Sequence, residues 1–223
     1  MMTTTILGRA FRSASVLAFS LVAACGQVLG IEDALVDPTF TTSGEASVVP
    51  PSCSAYCDEM ASSCGDQQSQ YADEFQCLAV CNHLPAGTLG DPTGNTVSCR
   101  LARAAAAATA SENDLEFFCR EAGPGGDGAC GAPCESFCSL MMAVCPPTHT
   151  AFSYPDVDAC LGDCEALPQV PYAYGDQVLS GNTVQCRTFY AGFAAQGASA
   201  ECERARGVSV CVDPSSEAPP PAE

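Results

Sequence analysis

Cysteines and apolar residues recur at helical spacing in the central part of the chain. One stripe, at i, i+3, i+4, i+7 and i+11, consists of Cys53, Tyr56, Cys57, Met60 and Cys64. This spacing places all five side chains on one face of an α-helix. The pattern therefore predicts a helix that begins near residue 53 and buries its cysteines.

Two further helices follow in the pattern. The second carries Cys77 and Cys81 together with neighbouring leucines, and stops near Pro85. The third follows the phrase GNT at 94–96, where Asn95 or Thr96 can cap a helix, and includes the alanine-rich stretch 103–110. Each predicted unit is thus a helical hairpin with a third helix.

The same pattern occurs twice. The phrase GNTVSCR at 94–100 recurs as GNTVQCR at 181–187, and equivalent cysteines are 81 to 87 positions apart. The two sets of eight are Cys53, Cys57, Cys64, Cys77, Cys81, Cys99, Cys119, Cys130 and Cys134, Cys138, Cys145, Cys160, Cys164, Cys186, Cys202, Cys211. An internal duplication is the explanation. The sequence predicts an all-α fold of two tandem disulfide-rich helical modules, residues 53–130 and 134–211.

The paired Cys-x3-Cys spacings predict disulfide rungs. Residues i and i+4 share a helix face, so two antiparallel helices can be joined twice. The predicted rungs are Cys53–Cys81, Cys57–Cys77, Cys134–Cys164 and Cys138–Cys160. The other four cysteines of each set allow three pairings. From these we choose Cys64–Cys99 with Cys119–Cys130, and Cys145–Cys186 with Cys202–Cys211.

The first 24 residues have the features of a signal peptide. Arg9 and Arg12 precede an apolar stretch of twelve residues, 13–24, which is shorter than the roughly 20 residues that span a bilayer. The segment ends LVAAC, which resembles the lipobox of bacterial lipoproteins. That resemblance implies lipidation of Cys25, and removing Cys25 from the seventeen cysteines leaves an even number. Residues 25–52 are then a tether, and the Pro-rich residues 212–223 a disordered tail.

The charge balance limits the partners. The chain has 26 acidic and 8 basic residues, and all eight basic residues are arginines. A nucleic-acid partner is not expected, because phosphate binding needs clustered Lys and Arg. We expect the protein to lie in the cell envelope, attached to the outer membrane through its lipid anchor. We expect its partner to be an envelope or extracellular protein or glycan.

The whole repeat resembles an uncharacterised cysteine-rich domain of myxobacterial lipoproteins, through the Gly-Asn-Thr-x-x-Cys-Arg phrase. The histidines that follow the phrase in that family are replaced here by Ala102-Arg103 and Phe189-Tyr190. A metal or haem site built on them is therefore not expected. The hairpin alone is also similar to the small Tim chaperones and the alpha-hairpinins, over about 30 residues of each unit; we interpret this as convergent geometry.

Candidate chemistry is sparse. Zinc sites favour Cys-x2-Cys pairs, whereas this chain has Cys-x3-Cys in an exported protein, so no metal or other cofactor is predicted. Asp156, Asp158 and Asp163 could bind calcium, but helix N-terminal charge explains them better. Arg100 and Arg187 follow equivalent cysteines, and we interpret them as internal ion pairs or cap contacts, with ligand binding as the alternative.

We therefore expect a non-enzymatic envelope lipoprotein. One alternative is an accessory subunit of a metal-handling or electron-transfer system. The other is a hydrolase, which would need His83 or His149 beside a Ser or Asp.

Overall fold

The structure, a computed structural model, describes residues 51–148, 152–171 and 176–212, and within these ranges it is helical and contains no strand. The predicted signal peptide 1–24, the proposed lipidation residue Cys25, most of the tether, His149 and the tail beyond residue 212 lie outside the described residues. The all-α, disulfide-rich fold class is confirmed.

The first repeat contains four α-helices and a short 3₁₀ turn. Their bounds are α1 Cys53–Ser63, the 3₁₀ turn Asp66–Gln68, α2 Glu74–Cys81, α3 Val97–Ala107 and α4 Glu112–Ala122. The second repeat follows the same order, with one additional short helix before its third main helix. Its elements are α5 Pro133–Val144, α6 Val157–Glu165, α7 Asp176–Leu179, α8 Val184–Ala195 and α9 Glu201–Arg206.

Short polar side chains fix where the helices begin. The side chains of Ser52, Asp73 and Thr96 each accept a hydrogen bond from the backbone N–H three residues later, at the starts of α1, α2 and α3. Asp156 and Thr183 do the same at the starts of α6 and α8. Such N-caps satisfy backbone donors that a helix cannot pair internally. The threonine of each repeated phrase, and not its asparagine, is therefore the cap.

Each helical hairpin is joined by two disulfides. The structure forms the four predicted rungs, Cys53–Cys81, Cys57–Cys77, Cys134–Cys164 and Cys138–Cys160, with Cα–Cα distances of 5.5 to 5.9 Å. The outer cysteine of one helix meets the outer cysteine of the other, which is the order that antiparallel helices require. The i, i+4 spacing on both helices explains this geometry.

The structure corrects the other four pairings. It joins Cys64–Cys119, Cys99–Cys130, Cys145–Cys202 and Cys186–Cys211, instead of Cys64–Cys99, Cys119–Cys130, Cys145–Cys186 and Cys202–Cys211. The reason is a fourth helix that the sequence analysis did not predict. α4 carries Cys119 to the C-terminal end of α1, where Cys64 is the C-cap residue. Its counterpart α9 carries Cys202 to Cys145 in the same way.

The two repeats are in direct contact and share one apolar core. α2 of the first repeat packs against α8 of the second, and the Gln76 side chain donates a hydrogen bond to the Phe189 carbonyl at 3.2 Å. The junction 131–133 between the last cysteine of one set and the first of the next is only three residues long. With so short a connection, the second repeat has to pack where the first one ends.

Among the described residues, no helix combines the length and the apolar character needed to cross a bilayer.

Candidate functional site

A cleft opens in the first repeat between α1, the connecting segment 65–73 and the start of α2. Its volume is about 250 Å³. Its apolar lining consists of Met60, Ala61, Tyr71, Ala72 and the Cys57–Cys77 disulfide. We call this site the repeat-1 cleft. Pockets for small-molecule ligands are usually about 300–1,000 Å³. This cleft is smaller, and its size suits a single side chain.

The segment 65–73 is held in place by its own hydrogen bonds. The Ser69 hydroxyl donates to the Tyr71 carbonyl at 2.7 Å, and the Gln70 side chain donates to the Gln68 carbonyl at 2.8 Å. The Ala72 N–H donates to the Gln76 side chain at 2.8 Å. These bonds define the wall of the cleft that faces α1.

Beneath the cleft, two tyrosines form a buried hydroxyl pair. The hydroxyl oxygens of Tyr56 and Tyr71 are 2.7 Å apart, and the Tyr56 hydroxyl donates to the Ala122 carbonyl at the end of α4 at 2.6 Å. Burial raises the pKa of Tyr71 to about 12, while the charge of Arg100 and the hydrogen bond with Tyr56 act in the opposite direction. The Tyr71 phenol is therefore neutral at physiological pH.

The raised pKa of Tyr71 predicts a loss of stability in alkali. Because the folded state holds the phenol neutral above its ordinary pKa of 10, its contribution to stability is complete below pH 10 and is lost as pH rises towards 12. Over this window we expect the wild-type protein to lose about 2 to 3 kcal/mol more than Tyr71→Phe. Urea unfolding after rapid pH jumps measures the difference. Equal pH slopes for the two proteins would contradict the prediction.

Arg100 lies at the centre of the first repeat. It is 0% exposed, and its guanidinium donates to the carbonyls of Gly123 and Pro124 at 3.1 and 3.2 Å and to the Ser136 hydroxyl at 3.3 Å. Burial lowers the pKa of Arg100. The arginine therefore closes the C-terminal end of α4 and connects it to α5. Because Gly123 is the C-cap residue of α4, the hydrogen bond to its carbonyl is an internal cap contact of the kind that the sequence suggested.

Arg187 occupies the equivalent position in the second repeat. Its guanidinium donates to the Tyr154 hydroxyl at 3.3 Å and to the Asn182 side chain at 2.8 Å. Tyr154 also accepts from Arg206 at 3.0 Å, and the Arg206 guanidinium lies over its ring. Arg187 is thus enclosed within the protein and does not face a described cleft.

Two of the remaining sequence candidates have structural roles. Asp156 caps α6, and Asp163 pairs with Arg206 at 3.0 Å. His83 is exposed beyond the end of α2. Among the described residues, no group of three or more His, Cys, Asp and Glu side chains is arranged to hold a metal ion.

The surface around the cleft is acidic. Asp73 and Glu74 lie at its rim, and both are exposed. All six arginines of the described part of the chain are engaged: Arg100 and Arg187 are buried, and the other four pair with carboxylates, as Arg103–Glu121, Arg120–Glu116, Arg204–Glu201 and Arg206–Asp163. Since the chain has no lysine, the described surface offers no unpaired side-chain cation.

Sequence reasoning did not find the cleft. Comparisons with protein-family models, with curated proteins and with solved structures give no match to this chain.

The sequence signal for the cleft is a difference between the repeats, because Ala61 of the first corresponds to Met142 of the second.

Proposed function

We propose that this chain is a lipid-anchored protein of the bacterial cell envelope, and that it serves as a non-enzymatic binding module for an envelope or extracellular protein or glycan. One observation carries the proposal. Within residues 53–211, sixteen cysteines form eight disulfides, which indicates an oxidising, extracytoplasmic compartment. We therefore interpret the N-terminal segment as an export signal.

Cysteine parity supports the lipid anchor. Of the seventeen cysteines, the one outside the disulfide framework is Cys25, at the end of the apolar stretch that resembles a lipoprotein signal. A thioether at Cys25 would leave no thiol exposed in the oxidising compartment. Two or more acyl chains on one residue give stable membrane attachment, at about 0.8 kcal/mol for each buried CH₂. The outer membrane is the proposed location.

The chemistry of the repeat-1 cleft supports binding in preference to catalysis. The Asp73 side chain already accepts a hydrogen bond as the N-cap of α2, and the Tyr71 hydroxyl is paired with Tyr56. These two polar groups thus have structural partners. The Cys57 and Cys77 sulfurs at the cleft are joined in a disulfide and cannot act as thiolates.

Intact-mass analysis of the full-length gene product, purified from bacterial membranes, tests the anchor. We expect a chain that begins at Cys25, carries a diacylglycerol and an amide-linked acyl group, and gains about 16 Da on full reduction, one hydrogen for each paired cysteine. The variant Cys25→Ser should lose the lipid and leave the membrane fraction but keep the gain on reduction.

Either of two results would overturn this proposal. One is an unprocessed chain that starts at Met1 and carries no lipid. The other is a wild-type protein whose cysteines react with a thiol reagent without prior reduction, since that would remove the disulfide framework and with it the argument for export.

A further inference from the structure

We propose that the repeat-1 cleft receives one aliphatic or aromatic side chain from a partner protein segment, and that lysines or arginines flank this side chain. The inference rests on the proposed function as a binding module and names the class of partner. Its support comes from the shape of the cleft, from the difference between the repeats and from the charge around the rim.

The cleft exists because two of its walls are made of small residues. Counted from the paired cysteines, Ala61 corresponds to Met142 in the second repeat, and Ala72 corresponds to Pro155. Met142 is partly buried and packs against the core. The second repeat thus places a long apolar side chain at the position that Ala61 leaves open.

The floor of the cleft is largely apolar, and the one buried polar side chain among its lining residues is Gln70, whose Oε1 has no hydrogen-bond partner among the described residues. Met60 and Tyr71 are buried, and the Cys57–Cys77 disulfide fixes the distance between α1 and α2 below them. An apolar side chain entering the cleft would replace water against this floor, which is favourable in proportion to the apolar area covered. A preformed site also avoids the cost of ordering its walls on binding.

An exposed aromatic residue lies on α2, the helix whose first residue is at the rim of the cleft. Phe75 follows the rim residue Glu74 directly, and 76% of its surface is exposed. The equivalent position in the second repeat is Asp158. Aromatic residues are enriched in protein–protein interfaces, so Phe75 provides exposed apolar area on the same helix as the rim residue Glu74, which a bound segment that extends along α2 can cover.

The charge of the rim selects the flanking residues of the partner. Asp73 and Glu74 are exposed at the mouth, and the net charge of the chain is −18. Each described arginine is buried or paired, so no described cation offsets the negative charge at the mouth of the cleft. Complementary charge accelerates association and suppresses wrong partners. A segment with cationic flanks is favoured, whereas an acidic segment is repelled.

Binding of short peptides to the purified, oxidised full-length protein tests the inference. The principal probe is a capped pentapeptide, Lys-Lys-Leu-Lys-Lys, and the comparison probes replace Leu by Ser or all four Lys by Gly. Titrations followed by the NMR signal of the Met60 methyl group report both affinity and location. We expect each comparison probe to bind at least tenfold more weakly, and the affinity of the principal probe to fall with added salt.

A matched pair of variants on α1 tests the site. Ala61→Met introduces the residue that the second repeat carries at this position. By filling the cleft, it should lower the affinity for the principal probe at least tenfold. Ala55→Met adds the same side chain at another exposed position of α1, and should leave binding unchanged. Thermal melts of both variants check that the fold is intact.

The outcomes separate this inference from the proposed function. Equal binding of the Leu and Ser probes would show charge attraction alone and would overturn the inference. Equal binding of the Lys and Gly probes would instead indicate a general apolar site, as for an acyl chain, and would also overturn it. A lipidated, disulfide-bonded protein that binds none of these probes would retain the proposed location and lose only the inference.

Discussion

Replacing Cys64 and Cys119 together by alanine is expected to lower the free energy of unfolding by about 4 kcal/mol. This disulfide closes a segment of 55 residues and ties the end of α1 to α4. In the chain-entropy description, a longer closed loop removes more freedom from the unfolded chain. Both sulfurs are buried, and alanine avoids introducing a polar group in their place.

Urea unfolding under non-reducing conditions measures this loss. The control is the double variant Cys57→Ala with Cys77→Ala, which removes a bridge across 20 residues and should cost about 3 kcal/mol. The two double variants test the disulfide connectivity as well as the size of the loss in unfolding free energy. If the variant with Cys64 and Cys119 replaced still formed seven disulfides cleanly and lost less stability than the control, the role given to the bridge between α1 and α4 would be wrong.

Substitution of Arg100 by methionine should cost about 3 kcal/mol. Methionine has similar length and fills the space, but it cannot donate to the carbonyls of Gly123 and Pro124 or to the Ser136 hydroxyl. Those acceptors would remain buried without the donor that now satisfies them. The substitution also removes a charge that is costly to bury, and we expect the loss of several hydrogen bonds to outweigh this gain.

The matched control for Arg100→Met is Arg120→Met. Arg120 makes its ion pairs with Glu116 and Asp127 at the surface, so its replacement should cost less than 1 kcal/mol. Chemical denaturation of both variants gives the comparison. Equal losses, or an Arg100 variant as stable as the wild-type protein, would mean that the carbonyls find other partners when the guanidinium is removed.

The helical hairpins could be predicted because their signal is local. The i, i+4 spacing of Cys53 with Cys57 and of Cys77 with Cys81 permits one order of rungs between antiparallel helices. The other pairings depend on where the later helices pack, and spacing alone does not determine that. A signal for α4 was present, since Ser111 and acidic residues precede a stripe that includes Leu115, Phe118 and Cys119.

The roles of the arginines and of the cleft needed three-dimensional information. Nothing near Arg100 in the sequence identifies the carbonyls of Gly123 and Pro124 as its partners, because they belong to a turn more than 20 residues away. The cleft depends on the path of residues 65–73 beside α1. The aligned repeats show that the first copy has Ala61 where the second has Met142. Whether this difference opens a cleft depends on which face of α1 is left uncovered.

Both repeats connect their eight cysteines in the same order, the first to the fifth, the second to the fourth, the third to the seventh and the sixth to the eighth. After a gene duplication, such covalent frameworks tolerate exchange of the residues between the cysteines, because the cross-links maintain each copy while its surface changes. One copy can therefore change its surface residues while the other continues to support the shared core.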